Sequence, residues 1–125
     1  MKKSILWVDD HMENNALEIN HLQKDGYRVF TVKSTRLALL LLNKTSFVPS
    51  IIISDMARQE GDTYWITAGL KLVRCLKSSR VRAPIFIYAS PKAANQFSAQ
   101  VREAGGNGIT ACPQELMQFI AHHAD

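Results

Sequence analysis

Three aspartates hold the chemistry that this sequence could perform. Asp9 and Asp10 follow directly on the apolar run Ile5-Leu6-Trp7-Val8, and Asp55 follows Ile51-Ile52-Ile53-Ser54. If the two runs lie side by side, three carboxylates converge on one small pocket. Like charges at such range repel and hold protons more tightly unless a cation intervenes. A hard divalent ion resolves the conflict, and an oxygen-only set suits Mg²⁺, which takes one or two carboxylates and keeps several waters. A single aspartate behind a strand is as readily a cap or turn residue. The specificity lies in the pair and the single residue recurring at the ends of two apolar runs.

The elements that must carry these residues follow from periodicity. Ile5-Leu6-Trp7-Val8 reads as a short buried strand, followed by a helix with Met12, Ala16, Ile19 and Leu22 on one face and a stop at Gly26. Tyr27 to Val32 reads as the second strand, and Ser34 as the N-cap of a helix through Leu42. Ile51-Ile52-Ile53, apolar on successive residues, predicts a third strand covered on both faces. A long polar loop follows, then a helix with Gly69, Leu72, Val73 and Leu76 on its inner face. Pro84 opens a fourth strand, Ile85 to Tyr88, and Ala94, Phe97, Val101 and Ala104 mark a fourth helix ended by Gly105-Gly106. A weak fifth strand around Gly108 to Ala111 precedes a last helix after Pro113, with Leu116, Phe119 and Ile120 turned inward. The alternation predicts an α/β fold, a doubly wound five-stranded parallel sheet in one domain over residues 1–125. In such sheets ligands bind beyond the carboxyl ends of the strands, where strand order reverses. Asp9, Asp10 and Asp55 stand at that edge.

Composition narrows the classes further. With 46% apolar and 21% charged residues, the chain has the balance of a globular domain rather than of a disordered segment. The longest apolar run, Leu37 to Leu42, falls far short of the roughly 20 residues that span a bilayer. Asp9 and Asp10 also interrupt the apolar stretch behind Met1-Lys2-Lys3-Ser4, so no signal peptide is expected and the protein reads as cytoplasmic. Cys75 and Cys112 read as reduced thiols rather than a disulfide framework. The net charge of +4 owes much to Lys71, Arg74, Lys77, Arg80 and Arg82. Grouped in or just past one helix, they read as a solvated face near the negative end of its dipole rather than as a nucleic-acid surface.

The chain resembles, over nearly its whole length, the receiver domains of two-component response regulators, which have a (βα)5, flavodoxin-like fold. The matching stretches are Ile5-Leu6-Trp7-Val8-Asp9-Asp10-His11, Ile51-Ile52-Ile53-Ser54-Asp55-Met56, Ala68-Gly69-Leu70-Lys71-Leu72-Val73, Pro84-Ile85-Phe86-Ile87 and Ala104-Gly105-Gly106. The resemblance implies a signalling domain rather than an enzyme, acting in a phosphorelay. It implies Asp55 as phosphoacceptor, Asp10 as direct Mg²⁺ ligand, Asp9 as its water-mediated companion and the backbone carbonyl of Ala57 as the remaining ligand. It further implies a histidine kinase or phosphotransfer protein as donor, and protein contacts or self-association through the fourth and fifth helices.

Three positions depart from that pattern. Where receivers place Thr or Ser at the end of the fourth strand, this chain has Ala89, with Ser90 next to it as a substitute only if the strand end shifts by one residue. The lysine before Pro113 is replaced by Cys112, which reads as an inert filler, and the switch aromatic three residues earlier by Ile109. A charge-assisted bond to phosphate contributes roughly 1.5–3 kcal/mol, so losing cation and hydroxyl weakens the conventional relay. The loop after Asp55 is longer than the family norm and supplies Arg58, either a replacement cation or a surface partner for Glu60. Tyr64 and Trp65 in that loop read as packing residues, and His122-His123 as a frayed helix end. Two readings of function stay open, an atypical receiver phosphorylated on Asp55 and a phosphorylation-independent interaction module. A phosphatase of the haloacid dehalogenase type also uses a strand-end aspartyl nucleophile, but resembles a longer chain with an Asp-x-Asp signature and a cap domain.

Overall fold

Strands that are apolar on every residue need cover on both faces, and the arrangement of helices supplies it. The computed structural model describes residues 3–123. In chain order these form β1 (Ser4–Val8), a 3-10 turn (Met12–Asn15), α1 (Ala16–Lys24), β2 (Arg28–Val32), α2 (Thr35–Leu42) and β3 (Ile51–Ser54). Then come β4 (Arg58–Glu60), β5 (Thr63–Trp65), α3 (Ala68–Lys77), β6 (Ile85–Tyr88), α4 (Pro91–Ala104), β7 (Gly108–Thr110) and α5 (Pro113–His123). Five strands pair in parallel in the order β2-β1-β3-β6-β7. Strand order therefore reverses between β1 and β3, and the two apolar runs lie side by side, with Val8 opposite Ser54.

The alternation of side chains along each strand divides the core into two layers. Leu6, Val8, Ile52 and Ile87 face α2, α3 and α4, meeting Ala38, Leu42, Leu72, Val73, Phe97 and Val101. Ile5, Trp7, Ile51, Ile53 and Phe86 face α1 and α5, meeting Leu22, Leu116 and Ile120. Burying a Leu, Ile or Phe side chain contributes about 1.5–3 kcal/mol, so β1, β3 and β6 anchor the sheet. Phe86 also stacks on Phe119, ring centroids 4.4 Å apart. Ser34 caps α2 by accepting from the Leu37 N–H, and α4 ends at Gly105 with φ +101°, a left-handed stop.

Four expectations need correction. The segment after Asp10 begins as a 3-10 turn; Met12, Ile19 and Leu22 face the core as expected, but Ala16 is exposed and Asn15 is buried. The long polar loop after Asp55 contains an antiparallel hairpin, pairing Arg58 with Trp65, Gln59 with Tyr64 and Glu60 with Thr63. Its two-residue turn starts at Gly61, whose φ of +64° suits the first position of a tight hairpin turn. Tyr64 and Trp65 on this hairpin are exposed rather than packed, 61% and 36% accessible, with the Lys71 ammonium 3.8 Å from the Trp65 ring centre. The helix end at His123 is held, since its Nδ1 lies 3.0 Å from the Phe119 carbonyl and its ring stands edge-on to Phe86.

Candidate functional site

Parallel pairing of β1 with β3 carries the three aspartates to one edge. The Asp9 N–H donates to the Val32 carbonyl and the Asp55 N–H to the Val8 carbonyl, each at 3.0 Å, so both backbones continue the sheet just past its last side-chain pairs. One carboxylate oxygen from each of Asp9, Asp10 and Asp55 lies within 4.8 Å of the others. Each carboxylate is partly engaged. Asp9 accepts from the His11 N–H at 2.8 Å and from Asn15 Nδ2 at 2.9 Å, which explains why Asn15 turns inward. Asp10 accepts from the Gln59 N–H at 2.9 Å.

Arg58 is the feature that the sequence left open, and it resolves as neither of the two alternatives alone. Its side chain is fully buried. Nη1 donates to Asp55 Oδ1 at 2.5 Å and to Ser54 Oγ at 2.8 Å, Nε to Glu60 Oε2 at 2.7 Å, and Nη2 to Thr35 Oγ1 at 2.6 Å. Glu60 accepts in turn from the Thr35 N–H and hydroxyl at the start of α2. The guanidinium thus ties β3, the hairpin and α2 together, using the fork geometry that lysine lacks. The Glu60 pair is not a surface ornament.

Two influences act in opposite senses on Asp55. Burial first, and the Asp9 carboxylate second, push its carboxyl up to about 8, against the pull of Arg58. The upward push prevails because burial, the largest influence, acts together with the negative charge of Asp9 in the same cluster. Glu60 goes the other way: burial disfavours its charge, but the Thr35 bonds and then Arg58 hold it below the usual carboxylate range.

A cavity of about 650 Å³ opens over the cluster, lined among others by Asp9, Asp10, Asp55, Ala57, Ala89 and Ser90. The Ser90 hydroxyl accepts from the Ala93 N–H at 3.1 Å as the N-cap of α4. Cys112 and Ile109 lie outside the cavity lining. The Cys112 thiol donates to Gln114 Oε1 at 3.2 Å, and Ile109 packs against the α3–α4 side of the core. Arg58 is outside the lining as well and reaches Asp55 from the α2 side. Among the described residues, the lysine lining the cavity is Lys92, in the first turn of α4. Its signal in the sequence was the Ser90-Pro91 helix start directly behind the fourth strand, which aims that turn at the carboxyl edge of the sheet. Tyr88 and Tyr64 add their rings to the wall, with the Tyr88 hydroxyl donating to Glu18 at 2.8 Å.

Gly69 sets how closely α3 can approach this site. Its N–H donates to the Met56 carbonyl at 2.8 Å, and a Cβ at Gly69 would stand 2.2 Å from the Asp55 carbonyl oxygen. That neighbour is backbone and cannot swing away. Gly69→Ala is therefore expected to cost roughly 1–3 kcal/mol, the range for forced overpacking. Urea unfolding measures it, and an unchanged midpoint would show that α3 is free to shift.

Neither a family model nor a curated protein matches the chain. Solved structures do. The chemotaxis response regulator CheY4 of Vibrio cholerae is similar with a TM-score of 0.71 at 22% identity, covering 98% of each chain. A Francisella response-regulator receiver domain gives a TM-score of 0.79 at 14% identity over 98% of this chain and 97% of its own. The response regulator TrrA of Thermotoga maritima, solved with Mg²⁺ and a beryllofluoride group, gives 0.70 at 18% over 98% and 99%. At these identities the likeness speaks for architecture. The chain has the α/β, flavodoxin-like fold of response-regulator receiver domains, with five parallel strands in the doubly wound order.

Proposed function

We propose that this protein is an atypical receiver, a signalling domain rather than an enzyme, that binds Mg²⁺ at Asp9, Asp10 and Asp55 and accepts a phosphoryl group on Asp55. The carrying observation is the convergence of three carboxylate oxygens within 4.8 Å at the strand-order reversal. The donor set fits a hard divalent cation: carboxylates from two strand ends, with Ala57 lining the same cavity. Bound Mg²⁺ would supply positive charge where phosphoryl oxygens gather. The chain's own part is to present Asp55 as the nucleophile, its oxygen forming a bond to phosphorus as the donor's bond breaks. A histidine kinase or phosphotransfer protein in the cytoplasm would be the donor, and the face formed by α4 and α5 the surface for partners.

A second reading, an interaction module independent of phosphorylation, draws on other observations. The Ser90 hydroxyl is committed to its helix cap, Cys112 and Ile109 lie outside the cavity, and Arg58 already holds Asp55.

Treatment with acetyl phosphate and Mg²⁺, followed by intact-mass measurement and peptide mapping, separates the two. The first reading expects one phosphoryl adduct, on Asp55, lost in Asp55→Ala. Millimolar Mg²⁺ should raise the melting temperature by mass action, and Asp10→Ala should remove that shift. Failure to form any adduct while the Mg²⁺ shift persists would favour the second reading.

A further inference from the structure

A second cavity, of about 790 Å³, lies between α2 and α3 with the hairpin at one end. Leu39, Leu40, Leu42, Trp65, Leu76 and Val81 give it an apolar floor and walls. Leu40 and Trp65 leave 53% and 36% of their surface accessible. An adjoining cavity of about 450 Å³ shares Leu42, Arg80 and Val81, so the groove continues toward the opposite edge of the sheet.

Apart from Glu60, the charges described around this groove are positive. Arg36, Lys71 and Arg80 line the first cavity, and Lys44 and Arg82 line its continuation. Among the described residues, Glu60 is the sole carboxylate lining either cavity, and its oxygens accept from Thr35 and Arg58. Three of the cations expected to form a solvated face, Lys71, Arg80 and Arg82, thus frame an apolar trough together with Arg36 and Lys44. We propose that the groove between α2 and α3 is a docking site for a segment of a partner protein that carries leucine-like side chains flanked by carboxylates. Apolar side chains would enter between Leu40, Leu39 and Leu76 while the carboxylates meet Arg36, Lys71 and Arg80.

Other occupants fit less well. A second copy brings a net charge of +4 against a basic rim. A nucleic-acid strand would answer the cations through its phosphates but leave the leucines unmatched, and the Trp65 ring, on which a base could stack, already carries Lys71 over it. Rim charges of this kind steer encounter and select partners, while the buried apolar contacts hold them. The proposal does not depend on phosphorylation of Asp55.

The test is a titration of the whole chain, without Mg²⁺, against short fluorescent peptides. One has leucines at i, i+3, i+4 and i+7 with glutamates between; its control has lysines in place of the glutamates. Expected is saturable binding of the glutamate peptide at micromolar concentrations and at least tenfold weaker binding of the lysine peptide. Arg36→Glu with Arg80→Glu, and separately Leu40→Ser, should weaken the glutamate peptide roughly tenfold with melting temperatures within a degree or two of the parent. Absence of binding up to millimolar peptide, equal binding of both peptides, or indifference to these variants would overturn the proposal. So would a single-stranded oligonucleotide that binds more tightly than the glutamate peptide and is lost in the same variants, or sedimentation showing self-association abolished by Leu40→Ser.

Discussion

Replacing Arg58 by alanine is expected to lower the stability of the protein by about 3 kcal/mol, seen as a lower urea midpoint with unchanged slope. The guanidinium is fully buried and donates to Asp55, Ser54, Glu60 and Thr35, so its loss strips charge-assisted bonds from three elements at once. The cost stays at the low end of the range for broken buried pairs, for two reasons on the acceptor side. Asp55 can take up a proton, and Glu60 keeps its bonds from the Thr35 N–H and hydroxyl. Arg58→Lys should fall between the two forms, because an ammonium restores charge without the planar fork that reaches all four partners. A loss below about 0.5 kcal/mol, the usual bound for surface substitutions, would mean that the network merely decorates the hairpin.

The second large effect has the opposite sign. In metal-free buffer, Asp55→Asn should stabilise the protein at pH 8 by an amount on the order of a few kcal/mol, and much less at pH 5. The sign follows from proton binding. Asp55 is pushed up from 3.8 to about 8 in the folded protein, so the fold binds this proton more tightly than the unfolded chain. Its contribution is complete below the unfolded value and is lost as the pH rises through about 8. Asparagine cannot ionise, yet its amide oxygen still accepts from Arg58. The other charged and titratable groups at this site, Asp9, Asp10, His11, Lys92, Tyr64 and Tyr88 in the cavity and Arg58 behind it, are present in both forms, so the difference between the two curves isolates Asp55. Glu60 acts below this window, its contribution being lost only as the pH falls through and below the ordinary carboxylate range. If Asp55→Asn is less stable than the parent at pH 8, the Arg58 pair outweighs burial and the charge of Asp9.

What could be read from the sequence depended on how local the deciding interaction is. β1, β3 and β6 announce themselves because burial on both faces demands apolar residues in unbroken succession, and the aspartates behind the first two inherit their place from that pairing. Gly69 and Gly105 were legible as markers, though the reason for Gly69, the nearness of the Asp55 carbonyl, needed coordinates. The hairpin hid because Arg58-Gln59-Glu60 has no apolar alternation; its one sequence signal is the two-residue Gly61-Asp62 turn before β-prone Thr63-Tyr64-Trp65. A buried arginine looks like any surface arginine in one dimension. Its burial is made possible by Thr35, 23 residues away, which no local pattern pairs with it. The helix behind Asp10 shows its inner face in Met12, Ile19 and Leu22, but Asn15 has no such signal, since it turns inward to serve Asp9 rather than to extend an apolar stripe.

The hairpin also has a thermal character of its own. Arg58 is its one buried side chain; the remaining residues of β4 and β5 are exposed or half-buried. Detaching it from the body of the protein would hydrate a guanidinium and carboxylates together with the covered part of Trp65. Apolar hydration raises heat capacity and polar hydration lowers it, so the two offset and this detachment carries a small heat-capacity change. The free energy that keeps the hairpin seated should then vary almost linearly with temperature, while that of the sheet beneath follows the usual dome. Hydration of ions grows more favourable on cooling, so the cost of keeping the Arg58 clasp dry rises in the cold, and the clasp is relatively strongest when the protein is warm.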